Sequence, residues 1–230
     1  MSNSVANSTA VDSRRALIFD FDGVLVDAER AHFDCWNQAF EQIMGIRLDT
    51  DYRVLVGTTL EDIYRLWTPQ ELDPELKQRL LARKTELFFA PGASHLVPMP
   101  GSVELIRRAH VEGWYVAIAS RALRRRLHRT LAVMQMPSLF DVILGGEDAV
   151  NPATNRKDHA RAAHIFGIDP SACIVIEDSA SGIADARASG IGQVIGFTSS
   201  LTADTLYAAG AHLVVDHLTD VQLTVRVAAE

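Results

Sequence analysis

The chain has 230 residues, of which 48% are hydrophobic and 22% are charged, a composition typical of a globular protein with a sizeable core. Its formal net charge of −7 argues against nucleic-acid binding, which requires a basic surface. The two cysteines, Cys35 and Cys173, lack the spacing of a metal or redox site. We therefore expect two buried, reduced thiols and a cytoplasmic protein.

Residues 1–13 contain neither an apolar core nor a basic start. We expect a disordered tail there, and neither a signal peptide nor a membrane anchor. Later in the chain no apolar run reaches the roughly 20 residues of a membrane helix. The sequence therefore predicts no membrane partner.

Residues 17–27 read LIFDFDGVLVD, an apolar run that ends in carboxylates and a glycine. This pattern predicts a buried parallel strand that carries Asp20 and Asp22 to the edge of a sheet. Because side chains alternate along an extended chain, both carboxylates lie on the same side, where their repulsion requires a cation or a shared proton. A divalent metal would stabilise the pair and leave one carboxylate to attack an electrophile.

Residues 29–97 show helical periodicity and no convincing strand. Helices are predicted over 29–44, 59–67 and 74–89, and the proline-rich segment PGASHLVPMPG follows them. We therefore predict an all-helical cap at residues 29–97, inserted on two linkers into a core formed by residues 14–28 and 98–230.

From Gly101 onward, helix and strand alternate. Strands are predicted over 115–119, 142–144 and 173–176, helices over 102–112, 122–134, 157–166 and 183–188, and segments 193–196, 206–209 and 213–215 complete the alternation. Apolar strands separated by helices predict an α/β fold with a Rossmann-like, doubly wound parallel sheet. Ligands bind such sheets at the carboxyl ends of the strands. Three predicted strands end there in polar residues, namely Asp20 with Asp22, Ser120, and Glu177 with Asp178.

The motifs DFDGVLVD, IAS and IVIEDSASGI occur in this order and resemble those of the haloacid dehalogenase-like hydrolase superfamily, in its branch of β-phosphoglucomutases and phosphatases with a helical cap. The resemblance extends from residue 15 onward and implies Mg²⁺-dependent phosphoryl transfer through an aspartyl-phosphate. It implies that Asp20 is the nucleophile and a metal ligand. It also implies that Asp22 is the general acid and base, and a metal ligand through its backbone carbonyl.

The same resemblance assigns the remaining groups around the phosphoryl group. Ser120 would donate a hydrogen bond to it, and Asp178 with Glu177 would complete the metal site. Members of the family place a Lys-Pro pair before the helix that precedes the last motif, but Ala153 stands at that position. Lys157, about one helical turn later, is the expected substitute, and Arg156 or an arginine after Ser120 is the alternative.

The insert resembles the cap of β-phosphoglucomutase, which implies that His32 stands beside Asp22 and that Lys84 reaches into the site. Leu60, however, occupies the position where the mutases carry an arginine that grips the non-transferring phosphate. Arg121 or Arg124 could bind phosphate instead, in a bidentate manner. We therefore expect four substrate-binding residues: His32, Lys84, Arg121 and Gly23.

These observations predict a phosphatase that acts on a small phosphorylated metabolite, most simply a sugar phosphate. Three alternatives remain open at this stage. The first is a phosphosugar mutase, which would have to hold a second phosphate without the arginine at Leu60. The second is a 2-haloacid dehalogenase, which would use neither Asp22 as acid and base nor magnesium. The third is a non-catalytic relative, suggested by the displaced lysine.

Overall fold

The computed structural model describes residues 14–51, 60–90, 96–148 and 159–225. Within these residues, six parallel strands form one sheet: β1 (Ala16–Phe19), β2 (Tyr115–Ala119), β3 (Val142–Leu144), β4 (Cys173–Glu177), β5 (Gln193–Phe197) and β6 (Leu213–Val215). Their order is β3-β2-β1-β4-β5-β6. The chain thus winds outward from β1 in one direction and, from β4, in the other, which confirms the doubly wound α/β prediction.

Helices cover both faces of the sheet, which explains why its central strands are continuously apolar. Because side chains alternate along a strand, Leu17 and Phe19 join one buried cluster while Ala16 and Ile18 join the other. Helices α4 (Ser102–Val111) and α5 (Arg124–Val133) pack on the first face. Helices α6 (His159–Phe166), α7 (Ala180–Ala188) and α8 (Ala203–Ala208) pack on the second.

Between β1 and α4 the described chain contains three helices: α1 (Ala28–Met44), α2 (Leu60–Arg65) and α3 (Pro74–Phe88). They enclose a small core of their own, which includes Phe40, Ile63 and Leu80. Val26 and Pro98 form an isolated antiparallel bridge where the chain leaves and re-enters the sheet domain. The division of the chain into a cap at 29–97 and a core remains a prediction, because residues 52–59 and 91–95 lie outside the described ranges.

Most predicted elements lie within a few residues of those observed, and the starts of α7 and α8 each differ by three residues. α7 begins at Ala180, not at residue 183, because the Ser179 side chain accepts a hydrogen bond from the Gly182 amide and caps the first turn. α8 begins at Ala203, not at residue 206, because the Thr202 side chain accepts from the Thr205 amide in the same way. The predicted tail at residues 1–13 lies outside the described residues. No helix of the described chain is long and apolar enough to span a membrane.

Both cysteines are unbridged and buried, as the sequence analysis predicts. Burial raises the pKa of the Cys173 thiol to about 12 and also raises the pKa of Cys35. Both side chains therefore carry protons at neutral pH and pack as small apolar groups.

Candidate active site

Three carboxylates meet at the carboxyl ends of β1 and β4. Phe19 pairs with Ile176 across these strands, so Asp20 lies beside Glu177, and Asp178 follows directly. Oxygen atoms of Asp20, Glu177 and Asp178 lie within 4.8 Å of one another. Because the winding of the sheet reverses between β1 and β4, this cluster occupies the position where doubly wound proteins bind ligands.

The cluster is almost completely shielded from solvent. Exposed fractions are 6% for Asp20, 0% for Glu177 and 5% for Asp178. Three carboxylates this close and this buried repel one another strongly unless a cation or protons neutralise them. Carboxylate oxygens are the ligands that hard divalent cations such as Mg²⁺ prefer, so the residues present fit such an ion.

The Asp178 carboxylate is held in place from two directions. Its Oδ2 accepts hydrogen bonds from the Ser199 and Ser200 hydroxyl groups, at 3.0 and 2.5 Å, just beyond the end of β5. On the other side Gly23 has φ of +80°, and a Cβ at this position would lie 2.0 Å from the same oxygen. Only glycine therefore combines this backbone conformation with this close approach. Gly23 thus leaves room for the Asp178 carboxylate. Its contact with substrate stays a prediction.

Glu177 connects the cluster to the helices below it. Its Oε2 accepts a hydrogen bond of 3.1 Å from the Ser179 hydroxyl, and its Oε1 lies 3.5 Å from Nε2 of the fully buried His159. A Cβ at Gly182 would lie 2.1 Å from the carboxylate, so α7 approaches Glu177 through a glycine. The carboxylate position is therefore determined by α6, α7 and β4 together.

Ser120 follows β2, the other neighbour of β1. Its amide donates to the Leu144 carbonyl at 3.1 Å, and its Oγ accepts from the Ala122 amide at 3.2 Å. The side chain is 8% exposed. A hydroxyl that accepts one hydrogen bond can still donate its proton. The structure thus places Ser120 on the same edge of the sheet as Asp20 and leaves it chemically able to donate to a phosphoryl oxygen.

Asp22 pairs with Arg126 on α5. The two carboxylate oxygens accept hydrogen bonds from the guanidinium group at 2.6 and 2.7 Å, a bidentate pair. Both side chains are about one quarter exposed. The Asp22 side chain is not part of the cluster of three carboxylates. β1 ends at Phe19, so the alternation of an extended strand, which predicts Asp20 and Asp22 on the same side, does not continue as far as Asp22. Metal contact through the Asp22 carbonyl stays a prediction.

His32 joins this pair to the helical insert. Its Nε2 lies 3.1 Å from Nη2 of Arg126, and its Nδ1 lies 2.8 Å from Nζ of Lys84. The ring stacks on Phe88 with centroids 4.6 Å apart. A neutral imidazole accepts at only one ring nitrogen, so one of the two cations contacts His32 without donating to it. His32 thus contacts the arginine that pairs with Asp22, and Lys84 contacts His32. That His32 stands beside Asp22 and that Lys84 reaches into the site stay predictions.

The other basic residues that the sequence offers as phosphate ligands do not contact Asp22 or His32 in the described structure. The exposed Arg121 side chain makes no hydrogen bond or ion pair with another described residue. Arg124 is paired with Asp148, its Nε donating to Oδ2 at 3.1 Å, so its charge already has a carboxylate partner. Lys157 and Arg156 lie outside the described residues.

Sequence reasoning missed Arg126, Ser199 and Ser200. Five arginines lie within residues 121–129, a pattern that by itself indicates a solvated helix face. One signal was available for Arg126, because three arginines in the first turn of a helix oppose the helix dipole and call for an anionic partner. For the serines the signal was their place directly after an apolar strand, the same criterion that identified Ser120.

The chain is similar in sequence and in fold to proteins of one hydrolase family. Residues 17–196 match the family model described as haloacid dehalogenase-like hydrolase. The protein CbbY of Rhodobacter capsulatus is 31% identical over 191 residues, which cover 79% of this chain and 84% of that protein. The phosphorylated carbohydrates phosphatase of Thermotoga maritima is 26% identical over 201 residues, which cover 85% of this chain and 91% of that protein. The solved structure of a Thermotoga maritima protein assigned as a β-phosphoglucomutase aligns with a TM-score of 0.73 and 25% identity, over 89% of this chain and 95% of that one.

The contact between Gly23 and Asp178 predicts the effect of a methyl group at this glycine. We expect Gly23→Ala to displace the Asp178 carboxylate, because the added Cβ would overlap Oδ2. The matched control is Gly113→Ala, since Gly113 has a similar φ of +76° but a Cβ added there would meet no atom within 4 Å. The control should lose only about 1–2 kcal/mol of unfolding free energy from backbone strain.

Gly23→Ala should lose a further 1–3 kcal/mol or so through overpacking, and should also lose the stabilisation that added Mg²⁺ confers. Urea denaturation with and without Mg²⁺ measures both quantities. Equal losses in the two variants, with the Mg²⁺ response intact in both, would show that Gly23 does not shape the carboxylate cluster.

Proposed function

The chain belongs to the haloacid dehalogenase-like hydrolase family, and we propose that it is a Mg²⁺-dependent phosphatase of a small phosphorylated metabolite, a sugar phosphate, acting through an aspartyl-phosphate on Asp20. The observation that carries the proposal is the buried cluster of Asp20, Glu177 and Asp178, whose oxygens lie within 4.8 Å of one another. Asp22 stands two residues beyond the nucleophile, and Ser120 ends the neighbouring strand. A nucleophile, a proton-transfer group and a cation site therefore share one edge of the sheet.

The reaction has two steps on the same pair of aspartates. In the first, a carboxylate oxygen of Asp20 attacks phosphorus and the bond from phosphorus to the leaving oxygen breaks. Asp22, which has to leave its bidentate pair with Arg126 and carry a proton at this stage, gives that proton to the leaving oxygen. In the second, water attacks phosphorus, Asp22 accepts the proton, and the bond between Asp20 and phosphorus breaks. Inorganic phosphate leaves, and Asp20 is again a carboxylate.

The side chains of Asp20, Asp178 and Glu177, together with the Asp22 carbonyl, would hold Mg²⁺. When bound, the ion supplies positive charge that offsets the clustered carboxylates and the phosphoryl oxygens. Ser120 donates a hydrogen bond to one of these oxygens, and Lys157 is the proposed second cation of the site. Shielding from water strengthens each of these interactions.

The sugar-phosphate assignment has two supports. The name of the Thermotoga maritima relative states that it is a phosphatase of phosphorylated carbohydrates. In addition, His32 and Lys84 on α1 and α3 contact each other, and His32 contacts Arg126 beside Asp22, where the leaving group would lie. Their polar heads offer hydrogen-bond partners to sugar hydroxyl groups.

The alternative of a phosphosugar mutase is supported by the structural likeness to the protein assigned as a β-phosphoglucomutase. A mutase must hold a second phosphate while the first is transferred. The position where the resemblance expects an arginine for this purpose is Leu60, which is 7% exposed and packs in the helical core with Ile63 and Tyr64. Its burial as an apolar residue favours hydrolysis.

The nucleophile is tested with Asp20→Asn. We expect turnover of p-nitrophenyl phosphate to fall by more than about 10³-fold, because an amide cannot form the phosphoryl bond. The melting temperature should stay the same or rise, since one of three mutually repelling buried charges is removed. The control is Asp204→Asn at an exposed position on α8, which should keep wild-type activity. Full activity in Asp20→Asn would exclude the mechanism.

The metal requirement is tested with EDTA and with Asp178→Asn. Activity should be lost in EDTA and recovered with excess Mg²⁺. Mg²⁺ at a hundred times its dissociation constant should stabilise the wild type by about 2.7 kcal/mol, and Asp178→Asn should lose most of this gain because a charged ligand is missing. Undiminished activity after exhaustive chelation would contradict the proposal.

Product analysis distinguishes hydrolysis from isomerisation. With glucose 1-phosphate or glucose 6-phosphate as substrate, we expect ³¹P NMR to show inorganic phosphate as the phosphorus product. Accumulation of the isomeric hexose phosphate, primed by a trace of hexose bisphosphate, would instead identify a mutase. The Asp20→Asn variant serves as the blank for both signals.

A further inference from the structure

We infer that His159, the first residue of α6, is a positioning residue that orients the Glu177 carboxylate for the divalent cation. The inference rests on the Mg²⁺ site of the proposed function. It adds a side chain from outside the cluster of three carboxylates that sets the affinity for the cation. His159 acts through Glu177 and contacts neither the cation nor the substrate.

His159 is a buried polar side chain without a hydrogen bond. None of its surface is exposed. Within the described part of the chain, neither of its ring nitrogens has a hydrogen-bond partner. Because burial of an unbonded polar group lowers the stability of a fold, such a group calls for an explanation other than stability.

The imidazole ring faces the carboxylate cluster. Its Nε2 lies 3.5 Å from Oε1 of Glu177, and Glu177 is also fully buried. A carboxylate oxygen accepts hydrogen bonds, so the tautomer that suits this contact carries its proton on Nε2. An imidazolium carries the same proton, so His159 is the donor in either charge state of the ring.

The length of this contact separates its effect on the cation from its effect on the fold. At 3.5 Å it is longer than a formed hydrogen bond, and a movement of about 0.5 Å would bring it into the usual range of about 2.7–3.2 Å. Replacing the ring therefore removes a buried polar group that is not fully bonded. The fold should tolerate that change, since no established hydrogen bond is lost.

Helix α7 restricts the same carboxylate from another direction. Ser179 donates to Oε2 of Glu177 at 3.1 Å, and a Cβ at Gly182 would overlap the carboxylate. With His159 a donor faces each of the two oxygens, so the carboxylate cannot turn without losing one of them. Groups behind metal ligands fix the orientation of those ligands, and their removal typically weakens metal binding by roughly 10–100-fold.

The test measures urea unfolding of the full chain over a range of Mg²⁺ concentrations. His159→Phe replaces the imidazole with an apolar ring of similar shape. In EDTA we expect its unfolding free energy to equal or exceed that of the wild type, because a buried unbonded polar group is gone. The Mg²⁺ dissociation constant, obtained from the Mg²⁺ dependence of the unfolding free energy, should rise about tenfold or more.

Thr130→Val is the matched control. Thr130 is fully buried on α5, and among the described residues its Oγ1 has no hydrogen-bond partner. It differs from His159 in its place, because α5 packs on the face of the sheet opposite to α6. The control should keep or gain stability in EDTA and should bind Mg²⁺ with the wild-type dissociation constant.

Two amide variants locate the donor. The side-chain nitrogen of glutamine can reach the position of Nε2, whereas that of asparagine reaches only the position of Nδ1. We expect His159→Gln to keep the Mg²⁺ dissociation constant within about threefold of the wild type, and His159→Asn to weaken binding as His159→Phe does. This pair keeps the test decisive if His159→Phe does not fold.

Two results would overturn the inference. One is an unchanged Mg²⁺ dissociation constant in His159→Phe, which together with lost stability in EDTA would assign His159 to packing alone. The other is equal dissociation constants for His159→Gln and His159→Asn. Failure of the proposed Mg²⁺ site has a different signature, because the wild-type protein itself would then gain no stability from Mg²⁺, and the inference would fall with the site.

Discussion

The strongest constraint on this structure is the repulsion among three buried carboxylates, which the surrounding groups have to offset. Asp20, Glu177 and Asp178 are brought within 4.8 Å by β1 and β4, whose residues are fully buried and hydrogen-bonded along the sheet. The surrounding groups oppose this repulsion: Ser199 and Ser200 donate to Asp178, and Ser179 donates to Glu177. These hydrogen bonds and the favourable energy of the parallel sheet compensate for the cost of bringing the three carboxylates together.

Arg126 connects this reactive edge to the helical insert. Its guanidinium group contacts both Asp22 and His32, while Lys84 and Phe88 approach His32 from α3. A single arginine therefore links the group proposed to transfer protons to the helices proposed to recognise the leaving group. A shift of α3 would reach Asp22 through His32 and Arg126, so the proposed substrate recognition and the proposed proton transfer share these two side chains.

The parallel sheet explains how residues that are distant in sequence come to share one site. Asp20, Ser120 and Glu177 stand at the carboxyl ends of three adjacent strands, and the strand pairs are in register. Two glycines complete the arrangement. Gly23 allows the first loop to approach Asp178, and Gly182 allows α7 to approach Glu177. Small residues at these positions are as much a part of the site as the carboxylates, since any Cβ there would occupy the space of an oxygen.

The amino-acid pattern was sufficient for the parallel sheet and for the meeting of Asp20, Ser120, Glu177 and Asp178, because strand periodicity and the shared carboxyl edge are local and topological rules. The family resemblance predicts His32 and Lys84 at the site, and the structure joins them to each other and, through Arg126, to Asp22. The amino-acid pattern did not select Arg126 among the arginines of α5, since that choice depends on how Leu127 and Leu131 rotate the helix against the sheet. Nor did it reveal the serines on Asp178. That contact depends on where the loop after β5 lies beside the end of β4, and only tertiary packing decides this placement.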